Sequence, residues 1–136
     1  MLSRPSTDQV LTALADDLAN VLAPALTDEA ATVLAGQTEQ LMRRLARRAA
    51  HEIGWMAEEI AAIDSALGRT PDPTESWHLD AVLDRYSAAS GALADAIEAA
   101  FAAGDKGRVA ELKALLDQRI TTEQEILGTL DLVGRG

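Results

Sequence analysis

The residues of this chain best able to do chemistry are two histidines, four clustered arginines and two tryptophans. Glu75-Ser76-Trp77-His78 is a Glu-x-x-His pattern, and residues three apart on a helix share a face and can hold one ion together. Di-metal carboxylate bundles use two such pairs, plus one Glu from each of two further helices. Here one pair occurs, at a helix start beside prolines, so half of the constellation is missing. Glu75, His78 and His51 are the candidate metal ligands, yet the pattern implies no bound metal and no cofactor. His51-Glu52 leads into Gly54-Trp55, without the second His that a zinc-protease helix needs. Ser65, Ser87 and Ser90 have no partnered His and acid, which leaves nucleophilic catalysis without its parts. There is no Gly-rich phosphate loop, and no cysteine for thiolate chemistry or disulfides.

Arg43, Arg44, Arg47 and Arg48 form two ridges, because residues four apart are neighbours on a helix. Paired guanidinium groups suit phosphate or carboxylate recognition, including a nucleotide or a coenzyme A tail. The alternative is neutralisation by Glu39, Glu52 or Asp17, within or between subunits. Trp55, Met56, Trp77 and Tyr86 flank one helical hairpin, which fits either packing or an apolar ligand pocket lined by Trp55 and Trp77.

With 22 acidic against 12 basic residues the chain carries a formal charge of −10. Such a surface repels phosphate backbones and anionic lipid, so neither nucleic acid nor membrane is an expected partner. No apolar run approaches the ~20 residues that span a bilayer, and Met1 to Val10 lacks the apolar stretch of a signal peptide. A cytoplasmic location is the expectation.

These side chains must be positioned by helices. The apolar residues are mostly Ala and Leu, the best helix formers, with few of the aromatic and β-branched side chains that favour sheets. A first segment runs from Thr7 to Ala23, capped by Ser6 with Gln9, with Val10, Leu14, Leu18 and Val21 on one face and Pro24 as its stop. A second starts at Thr27 or Asp28 and reads to Leu67, through Leu34, Leu41, Leu45 and Ala49. From Ile53 it becomes a coiled-coil seam of Ile53, Met56, Ile60, Ile63 and Leu67. Such a helix would be roughly 60 Å long. Either it bends near Gly36 or Gly54, or its seam packs on a second subunit and is the interface of a homodimer. Arg69 to Ser76, with Pro71 and Pro73, is the linker.

A third segment runs from Trp77 to Ala103, capped by Thr74 or Ser76, through Leu79, Leu83, Tyr86, Ser90, Leu93, Ile97 and Ala100. After the Gly104–Gly107 turn a fourth reaches Leu132, with Val109, Leu112, Leu116, Ile120, Leu127 and Leu130 inward. The prediction is one all-α domain over 1–136: a four-helix up-and-down bundle whose long second helix is straight or bent.

Two stretches carry a resemblance. Arg4-Pro5-Ser6 through Val10-Leu11, then Leu18 and Leu22-Ala23-Pro24-Ala25-Leu26, resembles the start of an uncharacterised bacterial helical family, a domain of unknown function. Arg48-Ala49-Ala50-His51-Glu52-Ile53, followed by Met56 and Glu58-Glu59-Ile60, resembles its second signature, where members usually carry Asn at the position of His51. The similarity covers about the first half of the chain. The family's closing Asn-Pro element is absent; Ile120 to Leu130 reads as plain helix. Members sit beside or are fused to aminoglycoside-phosphotransferase-like proteins and acyl-CoA dehydrogenases. The resemblance therefore implies a phosphotransferase-like or acyl-CoA-handling partner, and it brings no catalytic residue.

Together these features point to a non-enzymatic helical accessory or interaction protein that self-associates through long helices. The rival readings are a binder of an anionic or acyl-CoA-type ligand and, below it, a ferritin-like metal enzyme.

Overall fold

The computed structural model describes residues 4–70 and 76–128. Its helices are α1 (Thr7–Asp17), α2 (Glu29–Leu67), α3 (Leu79–Ala102) and α4 (Lys106–Leu127), and no strand occurs among the described residues. The all-α class and the long second helix follow from the patterning. Gly36 and Gly54 lie within α2 without interrupting it, and neither has a neighbour against which a Cβ would press.

The helix ends are set by local chemistry. Gln9 accepts from the Ser6 backbone N–H at 3.0 Å and fixes the start of α1. Pro24 does not stop that segment at Ala23. The chain first widens into a π-turn over Leu18–Leu22, where the Ala23 N–H reaches the Leu18 carbonyl, and then tightens into a 3-10 turn over Ala23–Ala25. Proline brings no N–H, and the widened turn precedes the place where the α ladder would need one. Asp28 caps α2 by accepting from the Ala31 N–H at 2.8 Å. α3 begins at Leu79 rather than Trp77, with His78 at its N-cap position and the Ser76 hydroxyl accepting from the His78 N–H at 3.2 Å. Thr74, Leu130 and Leu132 lie outside the described residues.

The chain forms two compact units, 52–123 and 1–51 with 124–136, and α2 and α4 pass through both. In unit 52–123 the buried core is Ile63, Ala89, Leu93 and Leu112, with Ile60, Leu67, Ile97, Leu115 and Leu116 partly buried around it. Arg108 donates to the Ala66 carbonyl and Arg119 to Glu59, so α2 and α4 are antiparallel here. Arg119 of α4 also reaches Ser90 of α3, and the short turn after Ala102 makes α3 antiparallel to α4, so α3 runs parallel to α2. The short connections, between α1 and α2 and between α3 and α4, give antiparallel neighbours. Strict up-and-down alternation lapses at the one long connection, between Gly68 and His78.

Unit 1–51 with 124–136 is built differently. Asp16 of α1 bonds Arg43 of α2, closing an antiparallel hairpin around the π and 3-10 turns. Among its described residues the buried apolar ones are Ala15, Ala35 and Ala46. Small side chains at a helix contact let the axes approach toward the ~8 Å lower limit, so alanines suffice to seal the hairpin. They leave the large aliphatics outside. Val10, Leu14, Val21, Leu22, Leu26, Val33, Leu34, Leu41 and Leu45 are all exposed, Leu34 by 62% and Leu41 by 54%. The inward stripe of α1 is Leu11, Ala15 and Leu18, one residue on from the predicted Val10 and Leu14; that of α2 is Ala35, Glu39, Met42 and Ala46, one on from Leu34, Leu41 and Leu45.

Candidate functional site

Three polar side chains enter the seams of unit 52–123. Glu59 of α2 receives the Arg119 guanidinium of α4 and, at 3.0 Å, the Tyr86 hydroxyl of α3. Arg119 also donates to the Ser90 hydroxyl at 3.0 Å and lies 5.2 Å from the centre of the Tyr86 ring. Trp55 tilts against the same ring, centroids 5.8 Å apart. The Glu59 side chain is only 9% exposed, so its charge depends on Arg119 and Tyr86 for solvation. Burial pushes the Tyr86 phenol up to about 12; the Glu59 charge and hydrogen bond add to this, and the Arg119 charge opposes it. Both Glu59 oxygens, the phenol and the guanidinium are engaged with one another. The cluster fixes the register of three helices and offers no activated nucleophile. A cavity of about 120 Å³ beside it, lined by Trp55, Glu58 and Arg119 among others, is below the usual size of a ligand pocket.

This cluster is not apparent from apolar spacing. The inward stripe of α4 is Arg108, Leu112, Leu115, Arg119, Thr122 and Ile126, a heptad interrupted by two arginines. Following apolar residues instead selects Ile120 and Leu127, which are exposed. The signal was the unbroken four-three spacing itself, with Glu59 and Tyr86 at matching heights on α2 and α3.

The four arginines do not form one anion site. Arg43 is paired with Glu39 and, at 2.8 Å, with Asp16 rather than Asp17; these hydrogen bonds, Glu39 first, raise its pKa further. Arg47 donates to the carbonyls of Ile126 at 2.7 Å and Leu127 at 2.6 Å, closing the C-terminus of α4. Gly128 follows in the left-handed region at φ 68°, and a Cβ there would meet the Arg47 guanidinium at 2.7 Å. Arg44 is half-buried and Arg48 exposed. Trp77 is 66% exposed and takes no part in the Trp55–Tyr86 pair, so the two tryptophans do not line one pocket.

Of the candidate metal ligands, His51 and His78 are exposed, His78 at the N-cap of α3, and Glu75 lies outside the described residues. Among the described residues no three His, Asp or Glu side chains gather to hold an ion. The expected interface seam is instead covered by its own chain. Ile63 is 0% and Met56 2% exposed, Ile60 and Leu67 pack on the core, and only Ile53 remains open. α3 and α4 fill the side of α2 that a second subunit would have needed.

One further concavity, a groove of about 630 Å³ along the α3–α4 turn, is lined by the exposed Phe101 with Val109, Ala110, both lysines of the chain, Asp105 and Asp117. Its charges are mixed and its walls open. No described helix is long and apolar enough to cross a membrane. No family model, curated protein or solved structure matches the chain.

Proposed function

We propose that this chain is a non-enzymatic helical interaction protein, working by docking other helices against the α1–α2 hairpin. One observation carries this reading: the hairpin is sealed by Ala15, Ala35 and Ala46, while nine larger aliphatic side chains point to solvent. Isolated exposed aliphatics are ordinary, but a concentrated set marks an interaction surface. The rival reading, an anion or acyl-CoA binder built on the arginines, loses Arg43 and Arg47 to bonds within the chain. Partners of the phosphotransferase-like or acyl-CoA-handling class belong to this proposal as docking enzymes, and a second copy of the chain is the other occupant.

The test separates surface from core. Leu34→Ser and Leu41→Ser should leave helicity unchanged and shift unfolding by no more than ~0.5 kcal/mol, as at surface sites. Leu93→Ala in the core should cost about 2–5 kcal/mol. A Leu34→Ser variant as unstable as the core truncation would remove the basis for the reading.

A further inference from the structure

We infer that the occupant of this surface is a second copy of the chain, docked two-fold so that the two α2 helices run antiparallel across residues 28–48. The inference rests on the interaction reading and adds a partner, a face and a direction.

The face follows from helix geometry. On α1, Val10 and Leu14 each precede an inward residue, Leu11 and Ala15; on α2, Leu34 and Leu45 precede Ala35 and Ala46, and Leu41 precedes Met42. One residue is a rotation of about 100°. In an antiparallel pair that rotation carries both stripes to the same side of the hairpin, since the two helices are viewed from opposite ends. Val10, Leu14, Leu34, Leu41 and Leu45 thus share one face, and Val21, Leu22, Leu26 and Val33 lie at its closed end. The α2 stripe Leu34, Thr38, Leu41, Leu45 keeps the four-three-four spacing of knobs-into-holes packing.

The area suits a dimer. At about half exposure, the nine side chains leave on the order of 500 Å² of apolar surface in water. A standard interface buries ~800 Å² per partner. In homodimers roughly 65% of that is apolar, or about 500 Å².

Charge sets the direction. α2 is capped by Asp28, opens with Glu29 and carries Arg44 in its fifth turn, Arg43 and Arg47 being bonded within the chain. Parallel pairing would set like charge on like. A two-fold near Thr38 brings the acidic start of each copy near the partner's Arg44, while the stripe between carries no charge. Chains of net charge −10 repel one another, so an uncharged stripe with complementary ends is where two of them can meet.

Sedimentation velocity should give twice the 14.4-kDa chain mass, and Leu41→Glu should weaken association at least ~10-fold while keeping wild-type helicity. The protein has no cysteine, so single thiols report geometry. Thr38→Cys should form an intermolecular disulfide on oxidation. Leu45→Cys should not, because antiparallel pairing separates its two copies by ~20 Å along the axis, beyond the ~7 Å Cα limit. Cross-linking at Leu45 but not at Thr38, or a dimer that survives Leu41→Glu, overturns the arrangement. A wild-type monomer at every concentration overturns self-association. If a Leu41→Cys thiol in that monomer reacts as fast as a free thiol, the interaction surface stands without this partner. If it is protected, the face is covered within the chain and both readings fall.

Discussion

Replacing Glu59 by Gln removes one charge from the seam of three helices while keeping the side chain's shape, and the chain's only tyrosine reports the result. Three influences hold the Tyr86 phenol at about 12: burial first, then the Glu59 charge, then the hydrogen bond to Glu59, with Arg119 working against them. Glu59→Gln takes away the second and weakens the third, and it leaves the Arg119 charge unopposed. The titration midpoint, read from tyrosinate absorbance, should fall from about 12 but stay above the ordinary ~10, because burial persists. The stability consequence has a definite sign. Below ~10 the phenol is protonated in both folded and unfolded chains, and stability is fully present. Between about 10 and 12 the unfolded chain ionises first, so wild-type stability falls as pH rises through that window. Two units would correspond to ~2.7 kcal/mol, but Tyr86 is only partly buried, and a loss of roughly 1 kcal/mol is expected.

At neutral pH the same substitution acts through Arg119. Charge-assisted hydrogen bonds contribute about 1.5–3 kcal/mol. Breaking a fully buried pair costs about 3–5 kcal/mol. Arg119 retains 23% exposure and its bond to Ser90, so the cost should be about 2 kcal/mol in urea unfolding followed by circular dichroism. A wild-type midpoint near 10, or a midpoint that rises in Glu59→Gln, would refute the account of the cluster.

Three further outcomes follow from named contacts. Arg47→Ala should fray the last turn of α4, read as faster amide exchange around Gln124–Leu127, because the Ile126 and Leu127 carbonyls lose their donor. Gly128→Ala should destabilise by about 1–2 kcal/mol in thermal unfolding, since it places a side chain at positive φ against the Arg47 guanidinium. Arg44→Ala combined with Arg48→Ala should change association more than folding, with less than ~1 kcal/mol lost in denaturant titration.

The sequence by itself determined that the chain is helical and where its helices divide. Ala and Leu at helical period, the Ser6–Gln9 and Asp28 caps, Pro24 and the Gly104 turn are local features that act within a few residues. It also determined the seam from Met56 to Leu67, where the large apolar residues are themselves the inward ones, but not that α3 and α4 rather than a second subunit cover it. Only the tertiary structure decided which stripe faces inward elsewhere. In the first hairpin the buried residues are alanines while most of the large aliphatics are exposed, the reverse of ranking by hydrophobicity, because close approach of two helices favours the smallest side chain at the contact. In α4 two inward arginines are satisfied by the Ala66 carbonyl and the Glu59 carboxylate, partners 42 and 60 residues away that no local pattern can reveal. The direction of α3, parallel to α2, came likewise from long-range contacts, since a linker of that length permits either course.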